Sequence, residues 1–125
     1  MLYGKDVAIT DSIIGCAVEV HKQLGPGLLE SAYESALCIE LSSTGLSFAR
    51  QVGVPLFYKG QLISEYRPDL VVAERVIVEI KSVERLDPIH MAQVLTYLRV
   101  TGLRTGLLLN FNSALLKHGV RRVLL

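Results

Sequence analysis

The chain contains no tryptophan and only two cysteines among its 125 residues. Cys16 and Cys38 lie among apolar neighbours, and neither belongs to a cluster of cysteine and histidine with the spacing of a zinc site. A disulfide framework needs several cysteines, so that class of small secreted domain is excluded. We therefore expect both thiols to be reduced and buried and the protein to be cytoplasmic.

Long hydrophobic runs are also missing. No stretch approaches the run of about 18 apolar residues that marks a membrane span, and the first six residues lack the charged and apolar regions of a secretory signal. We expect no membrane partner. Half of the residues are nonetheless hydrophobic, and the mean hydropathy is +0.40. This surplus predicts a homodimer, with the first helix and residues 120–125 as candidate surfaces.

The net charge is only +1, which by itself does not suggest a nucleic-acid partner. The charge is unevenly spread, because residues 1–49 carry a net −4 and residues 50–125 a net +5. This asymmetry hints at an anionic partner for the second part of the chain. The alternative is that both regions simply present solvated faces.

Hydrophobic periodicity and turn signals predict a single domain over residues 1–125. Gly25-Pro26-Gly27 separates two helices, and Asp87-Pro88 begins a third. The predicted helices cover 11–24 (with Thr10, Asp11 or Ser12 as N-cap), 28 or 29 to 43, and 88–100 (with Asp87 as N-cap and an end at Gly102). The predicted strands cover 46–52, 54–58, 62–72, 76–83 and 107–109, and 120–125 form an edge strand or a docked tail. We expect the second helix to be well buried, and the order indicates an α/β or α+β fold with helices on a mixed sheet.

Two charged residues interrupt the most apolar of the predicted strands. Glu79 and Lys81 alternate with β-branched residues on the strand, on the same face as Ile77. Because a buried charge needs partners, Asp69, ten residues before Glu79, is expected to join them through a hairpin. Two carboxylates and the Ile80 carbonyl between them would suit Mg²⁺, which predicts metal-assisted hydrolysis. A buried salt-bridge triad that only fixes the strand register explains the same spacing equally well.

A polar stripe on the third helix adds a second pattern. His90, Gln93 and Tyr97 are spaced three and four residues apart, so they share one face and could overhang the acidic residues. Taken alone, these three side chains fit the solvent face of an amphipathic helix better. Glu30, at the start of the second helix, is explained by the helix dipole when taken alone. His21 and His118 have no partner in the sequence, so neither is assigned a function.

Several separated motifs resemble one family. The segment from Gly27 to Tyr33 resembles the signature of the small bacterial and archaeal GxxExxY proteins. The resemblance covers nearly the whole chain and includes these further segments: 13–15, 18–22, 24–27, 66–70, 78–81, 93–98 and 106–111. That family is placed in the PD-(D/E)xK phosphodiesterase superfamily, which includes restriction endonucleases and recombination exonucleases.

The resemblance implies a restriction-endonuclease-like core, in which a central mixed sheet is flanked by helices. It implies that Asp69, Glu79 and Lys81 form the core motif and that Glu30 reaches the same metal site. Gln93 and Tyr97 resemble the Q-x-x-x-Y element of the exonuclease-type branch.

The sequence therefore leaves two alternative hypotheses for the function. The first is a Mg²⁺- or Mn²⁺-dependent nuclease acting on DNA or, less readily, on RNA, with Glu30, Asp69, Glu79, Lys81, Gln93 and Tyr97 as its site. The second is a non-catalytic nucleic-acid-binding or scaffold protein that retains the fold. The small size and near-zero net charge count against efficient autonomous action on nucleic acid.

Overall fold

The computed structural model describes residues 4–125, so the first three residues of the opening segment lie outside the described part of the chain. The elements follow one another as α1 (Gly4–Leu24), α2 (Glu30–Ser42), β1 (Phe48–Arg50), β2 (Val54–Tyr58), β3 (Gln61–Tyr66), β4 (Leu70–Val72), β5 (Val76–Lys81), α3 (Pro88–Thr101), β6 (Thr105–Asn110), a 3₁₀ helix (Leu116–Gly119) and β7 (Val120–Leu124). No helix in this range is long and apolar enough to cross a membrane.

Five strands form a mixed sheet in the order β1-β4-β5-β6-β7. The central pair β5 and β6 is parallel, and the other neighbours are antiparallel. A separate two-stranded sheet consists of β2 and β3. The predicted α+β fold with helices on a mixed sheet is therefore confirmed.

The alternation of side chains along β5 divides the interior into two layers. Val76, Val78 and Ile80 pack with α1 and α2 on one face, whereas Ile77 packs against α3 on the other. Gly106 in β6 allows α3 to come close, since a Cβ at this position would stand 2.6 Å from Val94 Cγ1. Glu79 and Lys81 occupy the same alternate positions of β5 as Ile77, so their side chains point to the face covered by α3.

The predicted start of the first helix was wrong, because α1 already includes Gly4. Thr10 is buried inside this helix, where its hydroxyl donates to the Val7 carbonyl. The carboxylate of Asp6 is buried as well and accepts hydrogen bonds of 2.6 Å from Arg75 and Thr105. These distant partners hold the first turns of α1 against the sheet, and a local sequence pattern does not reveal them.

Two further predictions need correction. The predicted strand 62–72 is two strands in different sheets, because the chain leaves β3 at Arg67-Pro68 before it enters β4. The second helix is not buried all round: Ile39 is 71% exposed and Leu29, just before the helix, is 79% exposed, whereas Glu34 is buried. The C-terminal strand β7 is an edge strand, one of the two alternatives predicted for this segment.

Candidate active site

Asp69 and Glu79 meet at the end of the β4–β5 hairpin. Leu70 pairs with Val78, so Asp69 lies beside Glu79, and its amide donates to Glu79 Oε1 at 2.8 Å. In return, the amide of Ile80 donates to Asp69 Oδ2 at 2.8 Å. The turn is tight because Ala73 and Glu74 both adopt positive φ, at 53° and 57°. The hairpin thus holds two carboxylates side by side with one backbone amide directed at each.

The ionised forms of Asp69 and Glu79 are unfavourable, because burial disfavours each charge and the two carboxylates would repel each other. Burial, followed by the negative charge of Asp69, raises the pKa of Glu79 to about 8 against the opposing effects of the Asp69 amide and the Lys81 ammonium. Burial and the charge of Glu34 also raise the pKa of Asp69. A divalent cation would relieve this repulsion, since it stabilises both ionised forms.

Lys81 lies at the end of β5 on the same side as Glu79, but its ammonium group hydrogen-bonds to α3 and not to the carboxylate. Its Nζ donates to Oε1 of Gln93 on α3 at 3.1 Å. Among residues 4–125, none of the ion pairs involves Lys81, Asp69 or Glu79. The arrangement therefore differs from the salt-bridge triad that the spacing also allowed.

The polar stripe on α3 is divided between two environments. Gln93 is exposed beside Lys81, whereas Tyr97 is only 6% exposed and meets the ring of Tyr66 edge-on at 5.7 Å. Burial and the charges of Glu79 and Asp69 raise the pKa of Tyr97 to about 12. His90 accepts a hydrogen bond from the Asp87 amide at the start of the helix. The simple solvent-face explanation therefore fails for Tyr97.

Glu30 lies at the margin of the site. It is the first residue of α2, and its Oε2 accepts a long hydrogen bond of 3.4 Å from the Ser82 amide. Its charge contributes to the raised pKa of Glu79, although less than burial and Asp69 do. Glu30 is thus near the carboxylate pair without touching either member through a hydrogen bond.

Sequence reasoning missed a second carboxylate from α2. Glu34 is buried, and its Oε2 accepts from Arg50 Nε and Nη2 at 3.2 and 3.0 Å. The side-chain nitrogen of Gln51 donates both to Glu34 Oε1 at 3.0 Å and to Asp69 Oδ1 at 3.1 Å. The four-residue spacing from Glu30 places Glu34 on the same stripe of α2 and could have indicated it. No sequence signal marks Arg50 or Gln51.

Tyr33, the last residue of the glycine–glutamate–tyrosine motif, stabilises the backbone. Its hydroxyl donates to the Gly25 carbonyl at 2.5 Å and accepts from the Leu28 amide at 3.1 Å, while its ring stacks on Phe111 at 4.5 Å. Ser82, directly after Lys81, donates to the Leu28 carbonyl at 2.6 Å. These contacts tie the loop before α2 to the end of β5.

The donor chemistry fits a hard divalent ion. Within residues 4–125, no three His, Cys, Asp or Glu side chains come together as a preformed metal centre. The adjacent carboxylates of Asp69 and Glu79 can instead be supplemented by backbone oxygen, and an all-oxygen set of this kind suits Mg²⁺ or Mn²⁺. Mg²⁺ commonly uses one or two carboxylates and keeps several waters.

Comparison with known proteins agrees with this geometry. The family model of the PD-(D/E)XK nuclease superfamily matches residues 7–123, and the chain belongs to this superfamily. No curated protein and no solved structure matches the chain significantly. The predicted resemblance is confirmed at the level of the superfamily, whereas membership of the GxxExxY branch stays a prediction.

Proposed function

We propose that the protein is a metal-dependent nuclease that hydrolyses phosphodiester bonds at Asp69, Glu79 and Lys81. The observation that carries the proposal is the pairing of Asp69 and Glu79, each held by the backbone beside the other with a raised pKa. DNA is the proposed substrate in preference to RNA, in line with the restriction endonucleases and recombination exonucleases of the superfamily.

Asp69 and Glu79 are the proposed metal ligands, together with the carbonyl oxygen of Ile80. Glu30 contributes directly or through a water. When bound there, Mg²⁺ or Mn²⁺ would lower the pKa of a bound water and neutralise charge that develops on the phosphate. The amides of Asp69 and Ile80 orient the two carboxylates, so their geometry is set before any ion enters.

The remaining residues act on the substrate and the attacking water. Lys81 places its ammonium beside the developing negative charge and positions the nucleophile. Gln93 orients Lys81 through the hydrogen bond of 3.1 Å and offers its amide to a phosphate oxygen. Tyr97 packs against Tyr66 next to the carboxylates and excludes water from that side.

Cleavage assays on single-stranded, duplex and branched DNA and on RNA test the proposal. Purified protein with Mg²⁺ or Mn²⁺ should cut at least one of these substrates, and EDTA should abolish the cleavage. The second candidate is a non-catalytic nucleic-acid-binding or scaffold protein that retains the fold. Persistent binding of nucleic acid without cleavage of any substrate, with either metal, would support that candidate and overturn the nuclease.

A further inference from the structure

An open groove leads away from Lys81 and Gln93 along α3. Its volume of about 400 Å³ falls within the range of small-molecule binding sites. Its lining includes Tyr66 of β3 and, from α3, Ala92, Thr96 and Tyr97. The groove therefore joins the proposed phosphodiester site to an aromatic surface at the base of the β2–β3 hairpin.

The hairpin continues this surface outward. Tyr66 pairs with Val54, and the half-buried Val54 and Leu56 face the body of the protein. The pairing of β2 with β3 contains a β-bulge, and its extra residue, Ile63, belongs to β3. The side chains of β2 keep their regular alternation between the two faces. Tyr58 therefore lies on the same face as Val54 and Leu56, at the tip of the hairpin. The Nζ of Lys59 stands 5.4 Å from the centre of the Tyr58 ring.

Charge distinguishes the two faces of the hairpin. Glu65 is the single acidic residue between positions 54 and 66. It pairs with Pro55, on the face opposite Tyr58, and forms an ion pair of 2.6 Å with Arg67. The hairpin residues on the face with Tyr66 and Tyr58 thus include aromatic rings and no carboxylate, and a lysine lies near each end of this face, Lys81 and Lys59. Surfaces that bind single-stranded nucleic acid combine cationic groups with aromatic rings on which bases stack.

We propose that this face binds an unpaired stretch of the substrate strand, which runs from the cleavage site at Lys81 past Tyr66 to Tyr58. The proposal rests on the nuclease function and narrows it to substrates with single-stranded character. Tyr58 lies four residue steps along β2 from Val54, which is roughly 13 Å at the rise of a strand. That distance accommodates about four nucleotides at the stacked spacing of 3.4 Å.

The low net charge argues in the same direction. Binding of duplex DNA depends mainly on neutralising many phosphates, and a chain with a net charge of +1 offers few cations for this. Stacking depends on aromatic rings, and each base stacked on an aromatic side chain contributes roughly 1–3 kcal/mol. An unpaired strand can expose its bases to Tyr66 and Tyr58, whereas a duplex keeps them stacked on one another.

Fluorescence anisotropy in EDTA tests the inference without requiring cleavage. A short labelled oligothymidylate should bind more tightly than a blunt duplex of equal length. Tyr58→Ala should weaken binding of the oligothymidylate by about fivefold or more, the lower end expected for one stacked base, and Tyr58→Phe should retain the affinity. Phe57→Ala is the matched control, because Phe57 and Tyr58 are adjacent and each 59% exposed but lie on opposite faces. It should leave binding unchanged.

Equal effects of Tyr58→Ala and Phe57→Ala, or tighter binding of the duplex, would overturn the inference. Sedimentation velocity on the same samples checks self-association. If Tyr58→Ala dissociates a dimer and leaves oligonucleotide affinity unchanged, the hairpin face is an interface between copies and the inference fails. The two proposals fail separately: metal-dependent cleavage with no effect of Tyr58→Ala overturns only this inference. Stacking-dependent binding without any cleavage overturns only the nuclease.

Discussion

Gln51 holds Asp69 through both its backbone and its side chain. Its amide donates to the Asp69 carbonyl at 3.1 Å, and its Nε2 donates to Asp69 Oδ1 at 3.1 Å. The same Nε2 also donates a hydrogen bond to Glu34, which forms an ion pair with Arg50. Gln51 adopts a positive φ of 53° to make these contacts. The orientation of Asp69 therefore depends on Gln51, which lies after β1 and outside the motif, as well as on the Ile80 amide within it.

Gln51→Ala should weaken binding of Mn²⁺ about tenfold, because residues that orient metal ligands typically affect affinity by 10- to 100-fold. Calorimetric titration with Mn²⁺ measures this change directly. Gln23→Ala serves as the control, since Gln23 is exposed and its side chain donates a hydrogen bond to Glu19 on the same helix. Unchanged Mn²⁺ affinity in a folded Gln51→Ala protein would show that Asp69 is oriented without Gln51.

Stability should depend on pH through Glu79. The pKa of an unfolded glutamate is near 4.5, whereas burial and the charge of Asp69 raise the pKa of Glu79 in the folded protein to about 8. Between these values the folded state binds one proton more than the unfolded state. In EDTA the free energy of unfolding should therefore fall as the pH rises, by at most roughly 1.4 kcal/mol per pH unit.

Urea denaturation at several pH values measures this slope. Glu79→Gln should flatten it, and the exposed Glu84→Gln should preserve it. Mg²⁺ competes with the proton, so it should stabilise wild type more near pH 8 than near pH 5. A slope of equal size in Glu79→Gln would assign the effect to another group.

Tyr33→Phe should destabilise the fold while keeping the stack on Phe111. The change removes the hydroxyl that donates a hydrogen bond to the Gly25 carbonyl and accepts one from the Leu28 amide. Leaving such groups without a partner costs about 1–3 kcal/mol. Urea denaturation should show this loss, and Tyr58→Phe, which changes an exposed ring, should show none. Equal stability of both variants would mean that water replaces the Tyr33 hydroxyl without cost.

The predicted homodimer can be tested on the exposed apolar surface of the helices. Leu24, Ala36 and Ile39 of α1 and α2 line an open groove of about 330 Å³. A dimer should bury at least about 1,000 Å² in total, and Ile39→Lys should shift it toward monomer if this groove is the interface. Sedimentation equilibrium at micromolar concentration measures the mass, and a single 13.8 kDa species in wild type would refute the dimer.

Elements specified by local chemistry were predictable from the sequence. The ends of α3 lie almost where the sequence predicted them. Pro88 is the first residue of the helix, and Gly102, in the left-handed conformation with φ of 76°, follows its last residue. The β-branched run of β5 and its two charged residues indicated where Glu79 and Lys81 lie. These features depend on neighbouring residues, so a single sequence contains the information.

Features that depend on distant partners could not be predicted in this way. The early start of α1 depends on Asp6 contacting Arg75 and Thr105, 69 and 99 residues away. The contribution of Gln51, just after β1, depends on Asp69, 18 residues away and just before β4. Spacing within one element reveals neither contact, because the sheet topology creates both.

Cleavage by the Asp69→Asn protein tests the central claim most directly. The asparagine keeps most of the side-chain volume but removes a proposed metal ligand and one of the two neighbouring charges. Under identical Mg²⁺ or Mn²⁺, single-turnover cleavage of the best substrate should fall by about 100-fold or more, as expected when a group that stabilises developing charge is lost. Glu79→Gln should behave alike, and Glu84→Gln should cleave like wild type. If Asp69→Asn cleaves as fast as wild type, the activity arises elsewhere and the proposed site is wrong.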